Sequence, residues 1–265
     1  MANTSRAAGR PVPMPFRAVG TEYEHKWRLD HADTAPQALL TAAVFDEYLH
    51  SLSDPVTVSQ STMYVDDAEF RLARAGHSLG CLVNTGRASS VAWLRLKQTV
   101  LWDRRRDCLE VSERVDPRQF GRLINDPSVL PVGHVRRHGM AKGRLSPAGV
   151  LTQVRHKRTG AFRAIPAWLG FSVDLVEFRS PQDGTRSLGR YACLELEVNE
   201  STPDVLALLD ELAAEVDARA WGQRELLTKG QLAAIAAHPD ELTQHQFAAG
   251  RARSAEPREP QPWAG

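Results

Sequence analysis

The stretch Thr21-Glu22-Tyr23-Glu24-His25-Lys26-Trp27-Arg28-Leu29 decides the fold. Glu22, Glu24, Lys26 and Arg28 fall on one face of an extended strand, and Tyr23, His25, Trp27 and Leu29 on the other, because successive side chains of a strand point to opposite sides. The second face can pack under a helix, and His25, between Tyr23 and Trp27, reads as part of that packing. The first face carries two carboxylates and two cations in strict order.

The same pattern returns further along the chain. Ser90–Trp102 reads as a strand with Arg95, Lys97 and Thr99 on one face and Leu94 and Leu96 on the other. Arg155 and Lys157 share a face within Leu151–Thr159. Arg190–Asn199 sets Glu195 and Glu197 against Leu194, Leu196 and Val198. A single strand of this kind is ordinarily a solvated face whose charges pair across the sheet. Four in one chain, with apolar reverse faces and helices to cover them, leave two readings open: solvated ion-paired faces, or strands that close on themselves with the charges inside. Buried charges of both signs need partners. Carboxylate pairs suit hard cations such as Mg²⁺ or Mn²⁺ through oxygen ligands. Clustered Lys and Arg suit phosphate oxygens. Together they suit a metal-bound polyphosphate.

Local signals place the other elements. A helix is expected over Pro36–Leu52 with Thr34 as its cap, a strand over Ser59–Asp66, and a strand over Cys108–Val115 followed by a short helix near Pro117–Ile124. Ser128–Leu145, rich in Pro, Gly and basic residues, receives no element. Its His134 and His138 stand four apart, but no Glu follows His134 as in HExxH, and a solvated basic loop is expected rather than a metal pair. Leu151–Thr159 and Ala161–Ile165 read as a hairpin turning at Thr159-Gly160. Ser172–Phe178 and Arg190–Asn199 read as another around Pro181–Gly184. Thr202-Pro203-Asp204 opens a helix, with Thr as cap and Pro at the first position. A final helix is expected over about Gln223–Ala237.

Composition narrows the classes. The formal net charge of +1 lacks the basic excess of a nucleic-acid or membrane-surface binder. No apolar run approaches the roughly 20 residues of a membrane span. Cys81, Cys108 and Cys193 form no CxxC pair, so neither a disulfide framework nor a zinc knuckle is expected, and a reducing cytoplasm is the expected location. Residues 1–18 read as a flexible leader, 241–265 as a flexible tail, and 19–240 as one domain.

Glu22-Tyr23-Glu24-His25-Lys26 is an ExExK match, and it resembles the signature of the CYTH superfamily, the triphosphate tunnel metalloenzymes. The order of the later motifs is similar too. Tyr64 and Asp66 lead to Leu72 and Gly76, and Leu96-Lys97 comes next. Then come a basic strand with Arg155, Lys157 and Arg158, and a strand with Asp174. Glu195-Leu196-Glu197 precedes the amphipathic helix Thr202–Arg219, and Lys229 stands in the late helix. The resemblance covers about residues 20–235.

The resemblance implies an α+β fold: a closed antiparallel β-barrel of about eight strands, with helices packed outside and a triphosphate tunnel within. It implies that Glu22, Glu24, Asp174, Glu195 and Glu197 hold Mg²⁺ or Mn²⁺, and that Lys26, Arg28, Arg95, Lys97, Arg155 and Lys157 grip phosphate oxygens. Glu22, Glu24 and Lys26 would then be the catalytic group. For Arg28 an interior ion pair with a glutamate competes with that role, and for Arg158 and Lys229 a surface role does. The implied activity is metal-dependent hydrolysis of inorganic, nucleoside or thiamine triphosphate, with a triphosphate-containing small molecule as partner and neither nucleic acid nor membrane. Alternatives are a CYTH-type adenylate cyclase, binding of a phosphorylated ligand without turnover, and a merely ion-paired scaffold. Two departures stand out. Where the family usually has Leu-Arg-x-Arg this chain has Leu79-Gly80-Cys81-Leu82, leaving Arg74, Arg87 or Arg95 as substitutes. Glu110 and Glu113, three apart, cannot share a strand face without a bulge.

Overall fold

The computed structural model describes residues 17–29, 35–85, 92–243 and 246–247. Thr34, Arg87 and most of the expected leader and tail lie outside the described residues. Arg17 and Ala18, assigned above to the leader, already belong to strand β1 (Arg17–Leu29). Leu242 and Phe247, assigned to the tail, are buried among apolar side chains.

The single helix expected over Pro36–Leu52 is two short ones, α1 (Pro36–Leu40) and α2 (Ala43–Tyr48), followed by the two-residue strand β2 (Leu49–His50). The break falls where Thr41 Oγ1 donates back to the carbonyl of Gln37 at 2.9 Å and Ala42 turns extended. It lets Leu39, Leu40, Val44 and Phe45 all reach one core. Next come β3 (Val56–Asp66), α3 (Arg71–Arg74), β4 (Ser78–Thr85), β5 (Ala92–Trp102) and β6 (Arg106–Val115). A 3₁₀ turn at Pro117–Gln119 leads into α4 (Phe120–Leu123).

Helix α5 (Leu130–Arg137) occupies the stretch that received no element. Pro131 sits in its first turn, where the missing N–H costs nothing, and Val132 and Val135 are buried. The solvated loop expected around His134 is thereby corrected. His134 is 4% exposed, its Nε2 lies 2.8 Å from Gln98 Oε1, and its ring packs 4.3 Å from that of His138.

The turn expected at Thr159-Gly160 is also absent. Strand β7 (Ser146–Phe162) runs straight through it and pairs with β8 (Trp168–Arg179). Gly160 answers to packing instead, since a Cβ there would lie 2.7 Å from Leu52 Cδ2. β9 (Ser187–Val198) and α6 (Pro203–Ala218) come after it, the latter capped by Thr202. Gly222–Arg224 forms β10 against Trp27–Leu29, so Gln223 and Arg224, expected to open the final helix, are in a strand. The last long helix, α7 (Lys229–Ala237), starts only at the Thr228/Gln231 capping box.

Eight antiparallel strands are hydrogen-bonded in a ring, in the order β1-β6-β5-β4-β3-β7-β8-β9 and back to β1. The closing pairs run from Tyr23↔Val198 to Arg28↔Cys193. The fold is therefore α+β, with the charged strand faces turned inward and most apolar faces outward under helices. Outside β1, β8 and β9, Trp27, Phe171 and Leu194 pack with Leu209 and Leu212 of α6. Outside β4, β5 and β6, Leu79, Leu94 and Val111 pack with Val132 and Val135 of α5. α7 packs against β3, β4, β7, β8 and β9, and its Lys229 and Gly230 join the lining of the interior. All three cysteines are buried and free. Among the described residues no helix is long and apolar enough to cross a membrane.

Candidate functional site

The alternation of β1 delivers Glu22, Glu24 and Lys26 inward, each no more than 6% exposed. Lys97 of β5 donates to both oxygens of Glu22 at 2.5 and 2.7 Å and lies 3.9 Å from Glu24. Arg106 of β6 donates to Glu24 at 2.5 Å. Arg95 Nε lies 3.1 Å from a carboxylate oxygen of Glu110. Burial alone would lower the pKa of Lys97, but Glu22 and Glu24 outweigh it and hold the ammonium charged. Arg106 is kept charged in the same way, chiefly by Glu24.

A second group faces it from β7, β8, β9 and α7. Asp174, fully buried, accepts from Arg155 Nε at 2.9 Å and Nη2 at 2.6 Å, and from Lys229 Nζ. Arg155 Nη2 also donates to Glu195, which lies 3.2 Å from Lys229. Burial opposes charge on Glu195, but Lys229 and Arg155 prevail and hold its pKa down at about 2. Lys26 lies between the groups. Its Nζ donates to the carbonyl of Leu227 at 2.5 Å, and burial lowers its pKa despite the carboxylates nearby.

One cavity collects these side chains. Of the residues marked out in the sequence, Glu24, Lys26, Tyr64, Arg95, Lys97, Arg155, Glu195 and Lys229 line it. Glu22 and Asp174 stand behind it, joined through Lys97, Arg155 and Lys229. Three residues are not brought in. The Arg28 side chain is 45% exposed, lies 3.6 Å from Glu225 and covers the Tyr191 ring at 5.3 Å. Lys157 is exposed, and Glu197 is half-buried beside Gly170. Arg158 is likewise turned away, donating to the carbonyls of Ser53 and Leu40.

The cavity holds residues that the sequence did not mark out: Arg106, Gln60 and Gln153. Arg106, Cys108 and Glu110 alternate on one face, but the run Arg104-Arg105-Arg106 resembles a loop and hid the start of β6. Glu110 and Glu113 do face apart: Glu110 pairs inward with Arg95, and Glu113 accepts outward from Arg17 and from the Leu130 N–H. Gly80 and Leu82, where arginines were expected, do line the cavity. A Cβ on Gly80 would lie 2.9 Å from Tyr64 Cδ1, so the tyrosine ring fills the space a longer side chain would need. Arg95 stands opposite Gly80 in register, whereas Arg74 is turned to the surface, bonded to the Glu69 carbonyl.

Two buried atoms of cavity residues have no partner among the described residues, Nε of Arg106 and Oε1 of Gln153, while Nε of Arg95 meets the Glu110 carboxylate at 3.1 Å outside hydrogen-bond alignment. For a metal, only Asp174, Cys193 and Glu195 among the described residues bring ligand atoms within 4.8 Å of one another. The two carboxylates suit a hard cation. Burial raises the Cys193 pKa and keeps it a thiol. Glu22, Glu24 and Glu197 do not join this group.

No family model and no curated protein matches the chain. Solved structures do. A candidate adenylate cyclase from Bacillus halodurans aligns over 81% of this chain and 97% of its own, with 13% identity and a TM-score of 0.51. The chain has a CYTH-type fold. A candidate adenylyl cyclase from Hippeastrum, described as having a dominant triphosphatase activity, is 18% identical over 84% of this chain and 98% of its own, with a TM-score of 0.49. One from Vibrio parahaemolyticus is 15% identical over 79% and 95%, with a TM-score of 0.43. In this CYTH-type ring the ExExK strand is β1, and the Glu-x-Glu strand, β9, is its hydrogen-bonded neighbour.

Proposed function

We propose that the chain binds a triphosphate-containing small molecule inside its strand ring and hydrolyses it with the help of a divalent metal ion. The observation that carries this reading is the buried, unpartnered Nε–H of Arg106 at the cavity, where the guanidinium of Arg95 also stands. An unmade hydrogen bond on a buried charged donor is costly, and phosphate oxygens are the acceptors that guanidinium groups best fit.

The charge balance supports an anion with a cation. Around the cavity Lys26, Arg95, Lys97, Arg106, Arg155 and Lys229 outnumber Glu22, Glu24, Glu110, Asp174 and Glu195 by one. A triphosphate carries more negative charge than that excess offsets. Asp174 and Glu195 fit Mg²⁺ or Mn²⁺, which would stabilise the negative charge that develops on phosphate oxygens. Arg155 and Lys229, now on those carboxylates, would then turn to the ligand. Arg95, Lys97 and Arg106 would hold phosphoryl oxygens from the opposite wall and stabilise the leaving oxygen. Glu24, the β1 carboxylate that lines the cavity, would take the proton of the attacking water.

The test is orthophosphate release from inorganic triphosphate, ATP and thiamine triphosphate with Mg²⁺ or Mn²⁺, beside Glu22→Ala/Glu24→Ala. Metal-dependent release lost in the variant is expected. Absence of release from all three would refute hydrolysis. Cyclic AMP with pyrophosphate from ATP would mark a cyclase instead. Binding without turnover is the second reading, favoured by Gly80 and Leu82 standing where phosphate-gripping arginines were expected. It predicts a ligand-induced rise in Tm without product.

A further inference from the structure

The interior walls differ in what they offer a ligand. Arg95, Lys97 and Arg106, on β5 and β6, present donors. The wall of β3, β4 and β7 carries a chain of neutral amides. Gln60 Nε2 donates to Asn84 Oδ1 at 3.0 Å, and Gln153 Nε2 donates to Gln60 Oε1 at 2.5 Å. The chain ends at Gln153 Oε1, which has no partner although Gln153 is 7% exposed and lines the cavity. Gln153 stands two residues from Arg155 on the same face of β7, about 7 Å along the strand.

A lone amide oxygen is an acceptor only, and so is every oxygen of an ionised phosphate. Set against phosphate, Gln153 Oε1 would remain unsatisfied and repelled. Set against a hydroxyl or an amine, it gains the hydrogen bond that burial makes expensive to forgo. Resting on the triphosphate reading above, we propose that the amides of Gln153, Gln60 and Asn84 read a hydrogen-bond donor on the organic end of the ligand. The chain then takes a triphosphate ester bearing a hydroxyl or amine in preference to bare polyphosphate. Sites that hydrogen-bond a polar substrate group discriminate strongly against analogues that lack it, because their own polar atoms are left unpaired.

The experiment measures Kd by calorimetry for ATP, methyl triphosphate and inorganic triphosphate, in the full chain with Mg²⁺. ATP offers sugar hydroxyls and a base amine, methyl triphosphate an ester without a donor. Wild type is expected to bind ATP about tenfold or more tighter than methyl triphosphate. Gln153→Met, close in shape but without the amide, is expected to bring that ratio near unity. Gln153→Glu, which keeps an acceptor that a reoriented Gln60 amide can hold, is expected to preserve the ratio and guards against a folding defect in the first variant. Equal wild-type affinity for ATP and methyl triphosphate overturns the inference and leaves the triphosphate reading standing. So does a Gln153→Met variant that loses affinity for all three ligands alike, since the amide would then be serving phosphate. No binding of any of the three overturns both.

Discussion

Lys26 stands directly opposite Glu195 across the β1–β9 seam, yet its ammonium donates to the Leu227 carbonyl. Glu195 accepts from Arg155 and lies beside Lys229 instead. Lys26 is therefore a buried cation held by a neutral acceptor, which is why burial prevails in lowering its pKa. Lys26→Met removes a charge that is costly to bury along with one hydrogen bond. We expect the free protein to change in stability by no more than about 1 kcal/mol in denaturant unfolding. The Tm gain on adding triphosphate should shrink clearly. An unchanged ligand-induced shift would remove Lys26 from the phosphate site.

Arg106 separates a structural from a binding role. Arg106→Gln takes from buried Glu24 its hydrogen-bonded cation and leaves only Lys97, 3.9 Å away, so the loss should approach but not exceed the roughly 3–5 kcal/mol of a buried pair broken on one side. Adding Glu24→Gln should recover most of that stability, because the uncompensated charge is gone. Triphosphate affinity should stay depressed in both. Recovery of affinity in the double variant would mean that Arg106 serves only the pair.

Gly80 and Tyr64 are coupled by space. Gly80→Ala brings a methyl group against the tyrosine ring and should destabilise by about 1–3 kcal/mol. In Tyr64→Leu the same alanine should cost less, a difference that a double-mutant cycle by chemical denaturation measures directly. Equal costs in the two backgrounds would show that Tyr64 does not limit this position.

Two histidines under the outer helices make stability depend on pH. Burial, with His134 nearby, lowers the His77 pKa to about 4, and burial, with His138 and Arg137, lowers that of His134 to about 4. Their ordinary value is 6.5, so unfolded chains take up protons first as pH falls. The stability tied to the neutral rings is present above pH 6.5 and is lost as pH falls toward 4. Asp66 acts in the opposite sense. Burial outweighs the backbone N–H groups bonded to it and raises its pKa to about 6, so its contribution is full below 3.8 and lost as pH rises through 6. His77→Asn keeps an acceptor for the Thr99 N–H. We expect it to flatten the decline in Tm between pH 6.5 and 4, and an unchanged slope would exclude His77 as its source.

What the sequence made legible was charge. Inward faces such as Glu22, Glu24 and Lys26 or Arg95 and Lys97 were readable because charges repeating every second residue beside apolar neighbours stand out in the sequence, even though a solvated, ion-paired face gives the same pattern. Where the inward residues are neutral the signal vanishes. β4 turns Gly80 and Leu82 inward and Leu79 and Cys81 outward, with no contrast between its faces, so no strand was expected there. Gln60 and Gln153 were invisible for the same reason. Gly160 misled because a glycine needed for close approach to Leu52 reads the same as one needed for a turn. Pro131 and Gly133 concealed α5, although a proline in the first helical turn is no obstacle. Lys157 and Arg28 share the inward alternation of their strands but lie beyond the lined cavity, a question of strand length that periodicity does not address.

The ring's seam also has a temporal consequence. β3, β4, β5 and β6 each pair with a neighbour close in sequence, apart from the β3–β7 pairing, and can assemble as a meander soon after they are made. β1 cannot be closed on its second edge until Cys193–Val198 is available, more than 160 residues later. Contacts so distant along the chain slow folding. Late closure makes β1 the segment most exposed to mispairing, and a slow final phase in refolding should report the joining of β1 to β9.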